Sequence, residues 1–171
     1  KSILNVFSYT GGFSVYAFAG KCRSVLEIEI NRHALLAART NLALNFPEKT
    51  TGGKDFQQIQ GDAFMELSRL NQQNKTFDLV ILDPPAFAHH KKQKTNALKA
   101  YTYLAEKATR QVNPGGVLFA ASCSAPVEAE DFYHAISRGI ATTGRRQKEL
   151  LRTGHALDHP TTFKEGAYLK G

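Results

Sequence analysis

Cysteine is scarce in this chain: two in 171 residues, Cys22 and Cys123. That excludes a disulfide framework and makes a reducing, cytoplasmic setting the expectation. Long apolar runs are missing as well, and none approaches the ~20 residues a membrane-spanning helix needs. The opening Lys1-Ser-Ile-Leu-Asn-Val-Phe7 reads as a strand rather than a signal peptide. Internal repeats and low-complexity tracts are absent. So is the Gly-x-Gly-x-x-Gly fingerprint, which weighs against NAD. His89 and His90 have no Cys, His or Asp partners at ligand spacing, so no metal is expected.

What remains is an ordinary globular composition, 42% hydrophobic and 22% charged, long enough for one domain over residues 1–171. The formal net charge of +7 favours a polyanionic partner without establishing one. The chain starts inside its first strand without an initiator Met, and stops at Tyr168-Leu-Lys-Gly171. A fragment of a longer protein is therefore expected.

Short apolar runs alternate with helical patterns. Strands are predicted over residues 3–7, 24–28, 56–60, 77–82 and 117–121. Helices are predicted over 13–19, 31–45, 63–70, 96–112 and 128–142. In the second helix Leu35, Leu36, Ala38, Leu42 and Leu44 recur at helical spacing behind Asn31, a good N-cap. Residues 46–55 read as a turn-rich loop, Asn113-Pro-Gly-Gly116 as a helix stop, and 147–152 with 167–170 as a final hairpin. Continuous apolar strands alternating with helices imply a parallel sheet covered on both faces. In such sheets ligands lie beyond the carboxyl ends of the strands, so the residues after each strand carry the functional information.

Strand one is followed by Ser8-Tyr-Thr-Gly-Gly-Phe13, where adjacent glycines permit a tight turn and close ligand approach. An ordinary glycine turn fits equally. Glu29 follows strand two, at a position where an acid accepts from ribose hydroxyls, or simply sits in solvent at a helix entry. Glu27 is read as pointing elsewhere. Asp62 follows strand three and either accepts from an adenine amino group or caps the next helix. In order, these three loops describe an adenosine site. Strand four ends in Asp83-Pro-Pro-Ala-Phe87. Two prolines make a rigid ledge holding Asp83, and Phe87 either stacks on a base or packs. Strand five ends in Ser122-Cys123-Ser124. Cys123 is either a small buried hydrophobe or, opposite Asp83, a nucleophile. Cys22 lies at the other end of the sheet and reads as structural.

These segments, with Asn113-Pro-Gly-Gly116, Asp158-His-Pro160 and Glu165-Gly-Ala-Tyr-Leu-Lys170, resemble the class I S-adenosylmethionine-dependent methyltransferases. More narrowly they resemble the bacterial large-subunit ribosomal RNA cytosine-C5 methyltransferases. Ala86 departs from that family, which usually carries Lys or another polar residue there. The resemblance implies a Rossmann-like, doubly wound α/β fold with a mostly parallel seven-stranded sheet and an antiparallel C-terminal strand. It also implies an N-terminal RNA-binding PUA domain and a β-rich linking segment that this chain does not contain. S-adenosyl-L-methionine is the implied cofactor. Its expected contacts are Phe7, Ser8, Tyr9, Thr10 and Gly11 in the glycine turn, Glu29 with Ile30, Asp62 with Ala63, and Asp83.

The implied substrate is RNA, large-subunit ribosomal RNA in particular. Cys123 is then the nucleophile that adds to cytosine C6 and makes C5 enamine-like. Asp83 hydrogen-bonds the N3/N4 edge. Pro84, Pro85 and Phe87 are expected at the base. Lys91, Lys92, Lys94 and Lys99 are expected at phosphates, unless the basic arm is only a solvated loop. Tyr101 lines the pocket or packs. His155, Asp158 and His159 read as hairpin scaffolding. The competing expectations are methyl transfer to guanine N7 or an exocyclic amino group, in which Cys123 has no role, and a non-catalytic RNA-binding domain.

Overall fold

The computed structural model describes residues 1–51, 53–155, 161 and 168–171. The chain divides into two compact units, Lys1–Leu82 with Gln111–Leu118, and Asp83–Arg110 with Phe119–Gly171.

The first unit holds the sheet. Its elements are β1 (Ser2–Val6), α1 (Gly12–Ala19), β2 (Ser24–Glu29), α2 (Arg32–Asn45), α3 (Pro47–Thr51), β3 (Phe56–Gln60), α4 (Ala63–Gln72), β4 (Phe77–Leu82) and β5 (Val112–Ala120). The last two residues of β5 fall outside this unit. Strand order is β3-β2-β1-β4-β5. β1 runs parallel to both neighbours, with Ile3 opposite Val25 of β2 and Leu79 of β4. β2 pairs parallel with β3, Val25 opposite Phe56. Leu4, Val6, Ile28 and Val80 are wholly buried, as the uninterrupted apolar runs require of a sheet covered on both faces.

Local signals account for the helix starts. Asn31 Oδ1 accepts from His33 N at 2.9 Å and Ala34 N at 3.3 Å, capping α2. Asp62 Oδ1 accepts from Met65 N at 3.1 Å and caps α4. Two expectations change here. Residues 46–55 contain α3, because Pro47 is preorganised for a first helical position and Glu48 follows in the first turn. Asn113-Pro-Gly-Gly116 lies inside β5 rather than stopping a helix. Asp78 explains this: its carboxylate accepts from Asn113 Nδ2 at 2.9 Å and from Ser2 N at 2.7 Å, which holds its pKa below the usual carboxylate value. A Cβ on Gly116 would come within 2.8 Å of the Asp78 carbonyl oxygen, so only glycine permits that approach.

The second unit packs α5 (Lys94–Arg110) and α6 (Ala129–Ala141) around a core of Ala88, Ala97, Tyr101, Val127, Phe132 and Ala135. Tyr101 and Phe132 meet edge to face, centroids 5.0 Å apart. Full burial of a ring such as Phe132 contributes about 2–3 kcal/mol. Gly139 lets the helices approach, since a Cβ there would sit 2.8 Å from Ala105 Cβ. α5 starts two residues before the predicted 96, behind a 3-10 turn at Lys91–Gln93. Gln93 Oε1 builds that turn by accepting from His89 N at 2.8 Å and His90 N at 3.2 Å.

The seven-strand expectation is corrected. Among the described residues there are five strands and no antiparallel strand. The C-terminal segment contributes one isolated antiparallel bridge, Ser122 to Lys170. Residues 147–152 form no strand. Leu150 and Leu151 stay exposed, and Arg152 is held by Glu149 and Glu130 side chains, so no apolar face drives pairing there. Asp158, His159, Pro160 and Glu165 lie outside the described residues. Among the described residues, no helix is long and apolar enough to cross a membrane.

Candidate active site

In the first unit the backbone after β1 is unusual. Phe7, Tyr9 and Gly11 all take positive φ, at 62°, 47° and 77°. Two of the three are not glycine, so the turn is held by its neighbours. Phe7 N and Ser8 N both donate to Ile28 O, at 2.9 and 3.2 Å. Tyr9 N donates to Glu29 Oε2 at 3.0 Å, and Asn31 N to Glu29 Oε1 at 2.9 Å. Asn41 Nδ2 secures Thr10 O at 2.9 Å. Gly11 is required twice over: its φ is left-handed, and a Cβ would lie 2.8 Å from Ala38 Cβ and 2.9 Å from Glu27 Oε1.

Beneath this turn runs a polar chain that sequence reasoning missed. Asn5 Nδ2 donates to Ser14 Oγ at 3.0 Å, and Ser14 Oγ to Glu27 Oε1 at 2.5 Å. Gln58 Nε2 donates to Glu27 Oε2 at 2.9 Å. Glu27 is wholly buried; desolvation raises its pKa, opposed by the bonds from Ser14 and Gln58. Polar residues inside apolar strands were the available signal.

The other predicted cofactor residues cluster beside the turn. Gly61 N donates to Glu29 O at 3.1 Å, tying the Asp62–Ala63 loop to the end of β2. Asp62 Oδ1 is committed to its cap, and among the described residues no hydrogen bond engages Oδ2. Tyr9, whose backbone N–H donates to Glu29, and Ile30, next to Glu29 in the chain, are exposed apolar groups. Ser8 Oγ is buried with no partner among the described residues. An orphaned hydroxyl, a carboxylate, exposed apolar side chains and a turn that excludes a Cβ suit a nucleoside carrying an amino-acid tail.

In the second unit Cys123 and the Asp83 turn come together. Cys123 Sγ donates to Pro84 O at 3.9 Å. The thiol is half-buried, and desolvation raises its pKa first, the Asp83 charge second; Lys170 acts in the opposite direction. Asp83 retains exposed surface, yet the atoms packed round its carboxyl desolvate it and raise its pKa. Among the described residues no hydrogen bond or ion pair engages it.

Ser124 joins the two loops. Its Oγ accepts from Phe87 N at 2.9 Å and Ala88 N at 3.3 Å. Tyr101 Oη bridges Ser122 Oγ and Ser124 Oγ, each at 2.8 Å. Tyr101 is thus buried, 1% exposed, under the loops rather than at a pocket surface. The Phe87 ring packs 5.1 Å from it, and Phe87 is only half-buried. Pro84 is buried and Pro85 exposed. Lys91, Lys92 and Lys99 are exposed, but Lys94 pairs with Asp131 at 2.5 Å. His155 accepts from Leu169 N at 3.0 Å, a scaffolding contact. Cys22 is buried, its thiol pushed up by desolvation. Among the described residues no group of three or more His, Cys, Asp or Glu can hold a metal.

Comparison with known proteins gives this geometry a family. A large-subunit ribosomal RNA methyltransferase from Deinococcus radiodurans is 42% identical over 170 residues, 99% of this chain and 41% of that protein. Ribosomal RNA large subunit methyltransferase I from Klebsiella pneumoniae is 36% identical over 176 residues, all of this chain and 42% of that protein. The chain thus spans about two fifths of the length of these curated relatives. In fold it matches a structure from Streptococcus mutans described as an S-adenosylmethionine-dependent methyltransferase, at TM-score 0.82 and 21% identity, covering 99% of this chain and 43% of the other. A methyltransferase solved with S-adenosylhomocysteine matches at TM-score 0.81 and 23% identity, covering 99% and 43%. The S-adenosylmethionine-dependent methyltransferase model matches residues 1–157, and the chain belongs to that family.

Proposed function

We propose that this chain is the catalytic part of a longer protein that methylates C5 of a cytosine in large-subunit ribosomal RNA, with S-adenosyl-L-methionine as donor and Cys123 as covalent nucleophile. An RNA-binding domain elsewhere in that protein and a cytoplasmic setting belong to the same reading. The relatives' descriptions and their greater length support it. The observation that carries it is the Cys123 Sγ contact with Pro84 O, which puts a thiol against the Asp-Pro-Pro turn.

The cofactor would be held by the turn from Phe7 to Gly11, by Glu29 with Ile30 at the ribose, and by Asp62 with Ala63 at the base. Bound there, it supplies an electrophilic methyl group on a sulfonium. Everything else falls to the protein. Cytosine C5 is a weak nucleophile until Cys123, as thiolate, adds to C6 and leaves an enamine. The Asp83 carboxyl hydrogen-bonds the N3/N4 edge; its pKa raised by desolvation, it shares a proton with N3 as charge arrives on the ring and takes it back when Cys123 leaves. After transfer, loss of the C5 proton to a base and of Cys123 from C6 restores aromaticity. The target base must leave its stack, at roughly a few kcal/mol, and exposed Pro85 with the half-buried Phe87 are the surfaces to receive it, on a turn stiffened by the buried Pro84. Exposed Lys91, Lys92 and Lys99 would hold phosphates.

RNA substituted with 5-fluorocytosine tests this, because fluorine at C5 blocks the last step and leaves the adduct intact. The intact protein should form a denaturant-stable complex mapping to Cys123, and Cys123→Ala should form none. Continued methyl transfer by Cys123→Ala would instead indicate an exocyclic amino or N7 acceptor.

A further inference from the structure

Lys170 is buried, only 6% exposed, and that is rare for lysine unless the charge is used. Its backbone and its side chain hold opposite flanks of one residue. Lys170 N donates to Ser122 O at 3.2 Å and Ser122 N to Lys170 O at 2.8 Å. Its Nζ turns back and donates to Ser124 O at 2.8 Å, and to Tyr168 O at 3.0 Å. Cys123 lies between the two clamped residues.

The acceptors of Nζ are neutral carbonyls. Among the described residues no carboxylate lies within ion-pair distance of it; desolvation lowers its pKa, opposed by the fields of Cys123 and Glu128. The titratable groups whose fields reach Cys123 are Asp83, Tyr101 and Lys170. Glu128 in addition faces Lys170. Among the described residues whose fields reach the thiol, Lys170 is the cation. Asp83 opposes the thiolate and Lys170 favours it.

We propose that Lys170 is the positioning residue of the cysteine loop: it fixes Cys123 from both sides and is the counter-charge for the thiolate that attacks the base. The second half rests on the cytosine-C5 reading above; the clamp does not. Attack begins with loss of the thiol proton to solvent or a base. Asp83 alone would resist that loss, and the neighbouring Lys170 offsets part of that resistance. Removing the ammonium should therefore raise the thiol pKa even where no RNA is present.

The test is the pH dependence of iodoacetamide alkylation at Cys123 in the intact protein, read by peptide mass spectrometry so that Cys22 is counted apart. Lys170→Gln keeps an N–H donor for Ser124 O and removes the charge. It should move the profile up by at least about half a pKa unit, roughly threefold slower alkylation at pH 8. Lys170→Arg keeps the charge and should stay within about twofold of wild type. In methyl transfer, Lys170→Gln should lower kcat and leave cofactor affinity by calorimetry unchanged. A wild-type alkylation profile for Lys170→Gln overturns the proposal. So does a Lys170→Arg profile displaced as far as that of Lys170→Gln with wild-type circular dichroism. Retained transfer by Cys123→Ala would sink the cytosine-C5 reading alone, leaving the effect on thiol titration standing.

Discussion

Cys123 Sγ donates its proton toward Pro84 O at 3.9 Å, so the resting structure favours the thiol over the thiolate. Burial and the Asp83 charge act in the same direction. A thiol held neutral is protected from adventitious oxidation and alkylation.

Asp83→Asn should move the Cys123 alkylation profile to lower pH, because it removes a negative charge that opposes the thiolate. Methyl transfer should still fall by about 10²-fold or more, since a neutral amide cannot protonate N3. The same change should raise the melting temperature at pH 7. The sign follows from linkage. A carboxyl with folded pKa above its unfolded value of 3.8 binds more protons folded, so stability declines as pH rises through the interval between the two. Scanning calorimetry should show the gain at pH 7 and its disappearance below pH 3.8.

Gly11→Ala should destabilise the protein by roughly 1–3 kcal/mol, from the left-handed backbone and from a methyl wedged against Ala38 and Glu27. Urea titration measures this. S-adenosylmethionine affinity by calorimetry should fall with it, because the same turn forms the cradle.

Ser124→Ala removes the oxygen that accepts from Phe87 N and Ala88 N. Leaving those part-buried amides unpaired should cost about 1–3 kcal/mol. Transfer should fall further than stability requires, since Ser124 couples the Asp83 turn to the cysteine loop. A kcat equal to wild type in the folded variant would argue against that coupling.

Lys91→Ala and Lys92→Ala should each weaken RNA binding whatever the sequence, and each should reduce the slope of log affinity against log salt by about 0.7. Lys94→Ala should change that slope little, because its ammonium is already paired with Asp131. Filter binding across a salt series separates the three.

Much of the fold was legible because its signals are local. The apolar runs at 3–7, 24–28, 56–60 and 77–82 match β1 to β4 to within a residue or so, and Asn31 and Asp62 cap helices as their side chains dictate. The five-residue helix at Pro47 escaped notice because it buries nothing and so has no periodicity. The expected strand at 147–152 failed because it would have required an apolar face, and Leu150 and Leu151 found none to join.

The candidate site divides along the same line. By chain order alone, the sequence determined that a glycine turn, Glu29, Asp62, Asp83-Pro-Pro and Cys123 follow successive strands, because a parallel sheet puts every strand's carboxyl end at one edge. Only the tertiary structure decided which way each shared group acts. It bonded Tyr101 to Ser122 and Ser124 and paired Lys94 with Asp131. It buried Glu27 beneath the turn and brought Lys170 from the far end of the chain to both flanks of Cys123. Burial and long-range hydrogen bonds depend on what packs against a residue, and no local pattern of residue types encodes that.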